Sequence, residues 1–396
     1  MKKLLVLGAM QMHIPLLMRA KERGIYTITC DYIPNNIGHQ YADEAYYEST
    51  TDFNAVLNLA KEKKVDGIMT FNSDPAALTA AYVGEKLSLP NSGYEAVKIM
   101  SEKDLFRDFL DQHSFNCPKH GSYLFYEELL SELDQYHFPV MVKPVDSSGS
   151  KGVNVVSCKE ELEEKFNYAL KFSRCKRIIV EEYIESFAPQ LHGDGFVKEG
   201  KLMFSCLGDH HFNKDINNLV PISTTFPSSH TKENIDAVEQ EVARFIQLVG
   251  FKQGGINIEA RINKEGEIFL IEVGARNGGN FTPLVIQKAT NFNFVDAALS
   301  VALGDKTPEV VIKETGNYGY LILHSNEEGI LKDIILDKRL KDIVVNQYIY
   351  IQPGEKVYSF RGANAAVGVL IVYFESHNHK KYILDNFRNL FRIKLA

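Results

Sequence analysis

The sequence predicts a multidomain chain of mixed α/β and α+β class: a Rossmann-like parallel-sheet domain over residues 1–100, a central region over 101–304 and a small C-terminal α+β lobe over 305–396. Three observations carry that reading. Strand-like and helix-like patterns alternate through the first hundred residues, which implies a parallel sheet covered on both faces. A Ser/Gly loop separates two apolar strands near residue 150, and a strongly alternating hairpin occupies 254–279. A chain of 396 residues has room for roughly two to four domains of ordinary size.

Composition narrows the function classes. With 45% hydrophobic and 24% charged residues, the chain has the make-up of an ordinary soluble enzyme. A formal net charge of -7 with no sustained basic stripe argues against nucleic-acid binding, because neutralising phosphates needs clustered Lys and Arg. Cys30, Cys117, Cys158, Cys175 and Cys206 are odd in number, scattered and without a CxxC pair, which points to a reducing cytoplasm. The apolar opening MKKLLVLGAM is interrupted by Gln11 and His13 and lacks a small-residue cleavage site, so it reads as a first strand and not a leader. No segment approaches the ~20 apolar residues of a membrane span, so no membrane partner is expected.

In chain order, Leu4 to Leu7 reads as a strand, Pro15 to Arg23 as a helix stopped at Gly24, and Tyr26 to Cys30 as a second strand. A helix from Phe53 to Lys63 follows Asp52, and a third strand runs from Gly67 to Phe71. Gly8 and Asp31 at strand ends suggest a dinucleotide site, but GAMQMH lacks the later glycines that let a backbone approach a pyrophosphate. Asp74 either presents a carboxylate to a ligand at the sheet edge or caps a helix, and the cap is the favoured reading.

The segment SEKDLFRDFLDQH reads as a helix capped by Ser101, with Lys103 in its first turn. A cation is disfavoured at that positive helix end unless an anion is present. An apolar strand from Val140 then carries Lys143 and closes at Pro144, and a loop from Asp146 to Gly152 leads to a strand starting at Val153. Backbone amides in such a loop can wrap phosphate oxygens beside the point charge of Lys143. It is not a Walker A loop, because the GxxxxGK[ST] spacing is missing. A helix from Lys159 to Lys171 leads to the strand RIIVEEYIES.

In the hairpin, Ile256, Ile258, Ala260 and Ile262 share one face, and Asn257, Glu259 and Arg261 share the other. A turn over Lys264, Glu265 and Gly266 that pairs Asn263 with Gly266 puts Asn257 opposite Glu272 and Glu259 opposite Leu270. The two glutamates then lie diagonally, about 7 to 8 Å apart, where a hard cation such as Mg²⁺ would relieve their repulsion. The competing reading is a solvated Glu pair with a lysine nearby. After Glu272, the glycine-flanked Arg276 can reach an anion without steric obstruction.

In this order, a helix lysine, the strand lysine of VMVKP, a Ser/Gly loop, the EEYI segment and two acidic strands ending in E-x-x-x-R resemble the ATP-grasp superfamily. The likeness covers residues 100–300 and is closest to the carboxylate-amine ligase branch, beside biotin carboxylase and the purine-synthesis members. It implies an ATP-grasp fold after the N-terminal domain, with a lid subdomain over 115–185. It also implies ATP as nucleotide, with Mg²⁺ or alternatively Mn²⁺ as metal. Lys103 and Lys143 match the lysines on the phosphates. Ser147, Ser148, Gly149, Ser150 and Gly152 match the lid loop. Glu181, Glu182, Tyr183 and Ile184 match the adenine hinge, whose backbone groups at Glu182 and Ile184 pair the base. Glu259 and Glu272 match the metal carboxylates, and Arg276 matches the arginine facing the γ-phosphate and the substrate carboxylate. Arg276 and Lys143 are the catalytic residues on this reading. Two departures stand out: Gly274 replaces an Asn of many relatives, leaving Asn277 or water as third metal ligand, and Gln190 replaces the usual ribose glutamate.

Elsewhere, QLHGDGFVKEGKLMFSCLGDHHFNK reads as paired strands with a KEGK turn, its adjacent His210 and His211 pointing to opposite faces. Lys232 to Val249 reads as an amphipathic helix ending at Gly250. Beyond 305, a small lobe covers the site edge, and His324 and Arg361 either reach substrate from it or serve structural roles, the favoured reading. The implied reaction joins a small-molecule carboxylate to an amine through an acyl phosphate, releasing ADP and phosphate, in a monomer or homodimer. Two alternatives stand: an ATP-dependent carboxylase that activates bicarbonate, and a nucleotide-binding protein that has lost catalysis.

Overall fold

Leu4 to Leu7 and Ile28 are wholly buried, as strands covered by helices on both faces must be. In the computed structural model, which describes every residue except 214–216 and 314, they belong to one four-stranded parallel sheet. Its strand order is Glu44–Tyr46, Tyr26–Cys30, Lys3–Leu7, Gly67–Met69. The helix Phe53–Lys63 begins where Asp52 accepts the amides of Asn54 and Ala55 at 3.0 Å and ends at left-handed Lys64. Gly8, at φ +112°, lies against the buried ring of His13, and a Cβ there would come within 2.5 Å of its Nε2. Asp31 accepts the amides of Ala9 and Ile33 and the side chain of Asn36. The strand ends that suggest a dinucleotide site are thus closed by an imidazole and held by the aspartate.

Helices Asp74–Lys86 and Tyr94–Ser101 follow. The expected Ser101 cap is corrected: Ser101 is the last residue of one helix, Glu102 is an extended elbow, and Lys103–Gln112 is a separate helix. Lys103 gives its backbone amide to Val145, so the elbow is fixed by the strand beside it.

The next sheet is antiparallel, in the order His120–Tyr123, Ile178–Glu182, Val140–Pro144, Asn154–Val156, and is packed by the helix Lys159–Leu170. The central sheet has eight strands, all antiparallel: Ile268–Gly274, Gly254–Ile262, Gln190–Lys198, Lys201–Asn213, Asn217–Phe226, Asn317–Leu323, Gly368–Phe374 and Val344–Ile349. Left-handed Glu199 and Gly200 form the expected KEGK turn. The C-terminal region continues this sheet through its last three strands, and a three-stranded sheet, Lys356–Val357, Gly329–Leu336 and Phe391–Leu395, lies beyond.

On one face of the central sheet the helix Lys232–Val249 sets Val238, Val242, Phe245 and Ile246 against Ile256, Ile258, Ala260 and Ile262. Its stop is Gly250 at φ +75°. On the other face, helices Thr282–Thr290 and Phe294–Ala302 cover an aromatic core but leave Glu259 and Arg261 partly open. That opening faces the site.

Candidate active site

The register of the hairpin differs from the expected one. Glu259 faces Glu272 directly, Asn257 faces Gly274, and Leu270 faces Ala260. Two local causes add. The Asn263 side chain accepts the amides of Glu265 and Glu267 and lengthens the turn, with Gly266 at φ +82°. A β-bulge then leaves Ile271 unpaired between Leu270 and Glu272. Directly opposed residues lie closer than diagonal ones, so the glutamates repel more strongly than the expected arrangement implies. Burial, with Glu272 opposite, pushes the Glu259 carboxyl up to about 7.

The bulge is held from behind by Arg107, a residue that sequence reasoning missed. Its Nη1 and Nη2 donate to the carbonyls of Leu270 and Ile271 at 2.9 and 3.1 Å, and its Nε donates to Glu181 at 2.8 Å. Lys143 donates to the other Glu181 oxygen. Glu181 therefore lies between two cations: burial alone would raise its pKa, but Arg107 and Lys143 hold it below the usual carboxylate range. The Lys143 ammonium is pushed down from its ordinary value by burial, against the pull of Glu181 and with Arg107 and Lys103 adding repulsion. We read the trio as charged, because one carboxylate between two cations leaves a net positive charge. With Lys103 close by, that surplus suits an anion. The signal for Arg107 was a polar break in the apolar stripe of its helix, KDLFRDFL, next to Phe106 and Leu110.

Lys103 donates to the Ser147 carbonyl at 2.5 Å and so ties the helix start to the lid loop. Within that loop Gly149, Ser150 and Gly152 are all left-handed, Ser150 donates to Leu219, and Ala363 lies against Gly149. A Cβ on Gly152 would come within 2.8 Å of Pro144, which makes this glycine a steric requirement.

Arg276 makes a two-pronged ion pair with Asp74, at 2.7 and 2.9 Å, and lies 3.8 Å from Glu272. Burial works against its charge, but Asp74 keeps it protonated. Asp74 is thus not the expected helix cap; Ser73 takes that position, and the carboxylate reaches across to the central domain. The pair also accounts for Gly274: a Cβ there would come within 3.2 Å of Asp74 Oδ1, in the space that an Asn would need. Asn277, considered as a third metal ligand, instead gives its side-chain amide to Asp194 and its backbone amide to Phe71. Asp194 also accepts from Gly278 and Asn257. Burial pushes it up to about 6 despite those donors.

The hinge is partly engaged. The Glu182 amide donates to Lys119, the Ile184 carbonyl accepts from Arg261, and that guanidinium lies 5.2 Å over the Tyr183 ring. Gln190, the ribose candidate, instead donates to Glu259 at 2.8 Å and accepts from Arg261 at 2.8 Å, which puts it among the hairpin carboxylates. Its place at the head of a strand paired to Gly254–Ile262 causes this. His210 stacks on His192 at 4.3 Å, whereas His211 bonds Thr225, so the two do point apart. His324 is buried against Phe360 with Nδ1 at Ile322 O, a structural place.

Among the described residues no group of three or more His, Cys, Asp or Glu converges as a metal site. Two facing carboxylates nevertheless fit Mg²⁺, which binds one or two carboxylates and fills its remaining positions with water and phosphate oxygens. Lys103, Lys143, Ser147, Ser148, Glu181, Glu272 and Asp74 all border one cleft of about 360 Å³. No helix among the described residues is long and apolar enough to cross a membrane.

A family model described as an ATP-grasp domain matches residues 136–283. The carbamoyl phosphate synthase large chain of Caldanaerobacter subterraneus subsp. tengcongensis is 24% identical over 331 residues, 82% of this chain but 30% of that one. This chain therefore spans less than a third of that relative. Over the full chain the fold is similar to the L-amino acid ligase of Bacillus licheniformis, with TM-score 0.84 at 22% identity over 99% of that chain. It is also similar to the phosphoribosylglycinamide synthetase of Anaerococcus prevotii, with TM-score 0.77 at 23% identity over all of both chains. Residues 136–283 thus carry an ATP-grasp domain, and the fold of the whole chain is similar to that of these solved structures.

Proposed function

We propose that the protein is an ATP-dependent ligase that joins a small-molecule carboxylate to an amine and releases ADP and phosphate. The observation that carries this reading is one cleft bordered by Lys103, Lys143 and Glu272, with Glu259 paired opposite Glu272 on the hairpin and Arg276 3.8 Å from Glu272. Lys143 and Lys103 would hold the phosphates, and the lid loop would close over them and exclude water. Mg²⁺ held by Glu259 and Glu272 would supply charge neutralisation for the phosphates. An oxygen of the substrate carboxylate attacks the γ-phosphorus and ADP leaves. The amine then attacks the acyl carbon, phosphate leaves, and the new amide nitrogen loses a proton. Arg276, fixed by Asp74, would orient the carboxylate and stabilise the oxyanion of the second step. The tight use of Arg276 and Asp74 offers a reason for Gly274 that does not involve lost catalysis.

The test is product analysis with ATP, Mg²⁺ and panels of acids and amines. ADP and phosphate appearing only when both an acid and an amine are present support the proposal. AMP and pyrophosphate contradict the acyl-phosphate route, and bicarbonate-dependent ADP release would move the assignment to carboxylation.

A further inference from the structure

Glu259 meets more than the carboxylate opposite it. A line of three hydrogen bonds, each 2.8 Å long, runs to it from the hinge. Arg261 donates through Nη1 to the carbonyl of Ile184 and through Nε to Oε1 of Gln190, and Gln190 donates through Nε2 to Oε2 of Glu259. Gln190 is only 7% exposed, and its strand pairs with the one that carries Glu259 and Arg261.

The chemistry of the line fixes which way the amide points. A guanidinium carries donors and no acceptor, so the oxygen of Gln190 must face Arg261, and its nitrogen is left to face Glu259. Arg261 is held in turn at its far side, by the Ile184 carbonyl and by the Tyr183 ring, 5.2 Å away. A glutamate at position 190 would break the line. It could accept from Arg261, but it has no donor for Glu259, and it would bring a third carboxylate to the facing pair. Glutamine supplies the donor and adds no charge.

We propose that Gln190, oriented by Arg261, is a positioning residue for Glu259: it occupies Oε2 and leaves Oε1 to the cation shared with the nucleotide phosphates. This rests on the reading of the facing glutamates as a metal site. Gln190 then acts on the metal and not on the ribose hydroxyls. A hydrogen-bond partner behind a metal ligand sets the ligand's orientation, and its loss typically costs roughly 10–100-fold in metal affinity or activity. Arg261 belongs to the same device, because without it the amide is free to turn over and set its oxygen against the carboxylate.

The experiment is calorimetric titration of the full chain with a non-hydrolysable ATP analogue and with its 2′-deoxy counterpart, each in the presence and absence of Mg²⁺. In wild type, Mg²⁺ should tighten binding of the analogue. Gln190→Met keeps the length of the side chain and loses the donor, and should cut that enhancement by about tenfold. Its metal-free affinity, and its preference between the ribo and deoxy analogues, should stay as in wild type. Arg261→Met should lower the enhancement in the same direction, which keeps the proposal testable if the Gln190 variant fails to fold. Because the enhancement is a ratio within one protein, damage to the hinge in the Arg261 variant cancels. An enhancement unchanged in a folded Gln190→Met overturns the proposal and leaves the metal site standing. A changed ribo-to-deoxy preference in that variant with the enhancement intact overturns it in favour of a ribose contact. No Mg²⁺ enhancement in wild type overturns the metal reading and this proposal with it.

Discussion

Glu181 and Glu259 are the same residue type in the same site, yet their surroundings act on them in opposite directions. Glu181 lies between Arg107 and Lys143 and is held ionised, below the usual range. Glu259 is pushed up to about 7 by burial, with Glu272 opposite adding to the effect. The first carboxylate completes its electrostatics within the chain, whereas the second, on the proposed reading, is completed by a cation from outside. Removing a partner of Glu181 should therefore cost stability, and removing a partner of Glu259 should cost activity.

The largest effect expected is on the clamp. Arg107→Met removes a donor from the carbonyls of Leu270 and Ile271 and from one oxygen of buried Glu181, and should destabilise the fold by about 3–5 kcal/mol. Equilibrium urea unfolding measures this, and Arg107→Lys should recover only part of it because one ammonium cannot reproduce the fork. A loss under about 1 kcal/mol, the size of an ordinary single hydrogen bond, would remove Arg107 as the support of the bulge. Next, Glu272→Gln should lower ADP release by on the order of 10²–10³-fold, comparable to losing a transition-state charge partner. Thermal stability should hold or rise, since a like-charge pair is relieved. A large fall in both would mean that the hairpin glutamates are structural.

Smaller effects refine the comparison. Asp74→Asn weakens a charge-assisted pair worth ~1.5 kcal/mol or more and should raise KM for the acid about tenfold. KM for ATP should be little changed, and equal rises in both would show that Asp74 acts on the whole cleft. The smallest effect concerns Asp194, a third buried carboxylate with donors but no direct cation. Its folded pKa of about 6 exceeds its reference value of 3.8, so the folded chain keeps a proton that the unfolded chain releases. Its contribution to stability is full below pH 3.8 and is lost as pH rises through about 6. The difference in melting temperature between wild type and Asp194→Asn should change across that window, and a constant difference would contradict the assignment.

The sequence made local signals legible and long-range ones obscure. Strand Tyr26–Cys30 and the helices Phe53–Lys63 and Lys232–Val249 lie where their periodicity and caps put them. The hairpin faces were also legible, because a period of two survives any register. The register itself was not: it depends on an Asx turn at Asn263 and a bulge fixed by Arg107, which lies 163 residues from Leu270. Asp74 is 202 residues from Arg276, and its proximity to the following helix made a cap the natural reading. Gln190 went astray for the same reason, since strand pairing and not sequence spacing sets it beside Glu259.

Glu259 and Glu272, facing each other on the hairpin, are proposed to share a cation with ATP. The most direct measurement is the affinity of a non-hydrolysable ATP analogue with and without Mg²⁺, for wild type and for Glu272→Gln. Wild type should bind the analogue tightly and in a Mg²⁺-dependent way, and the variant should lose most of the Mg²⁺ enhancement. An enhancement of the same size in both proteins would contradict it.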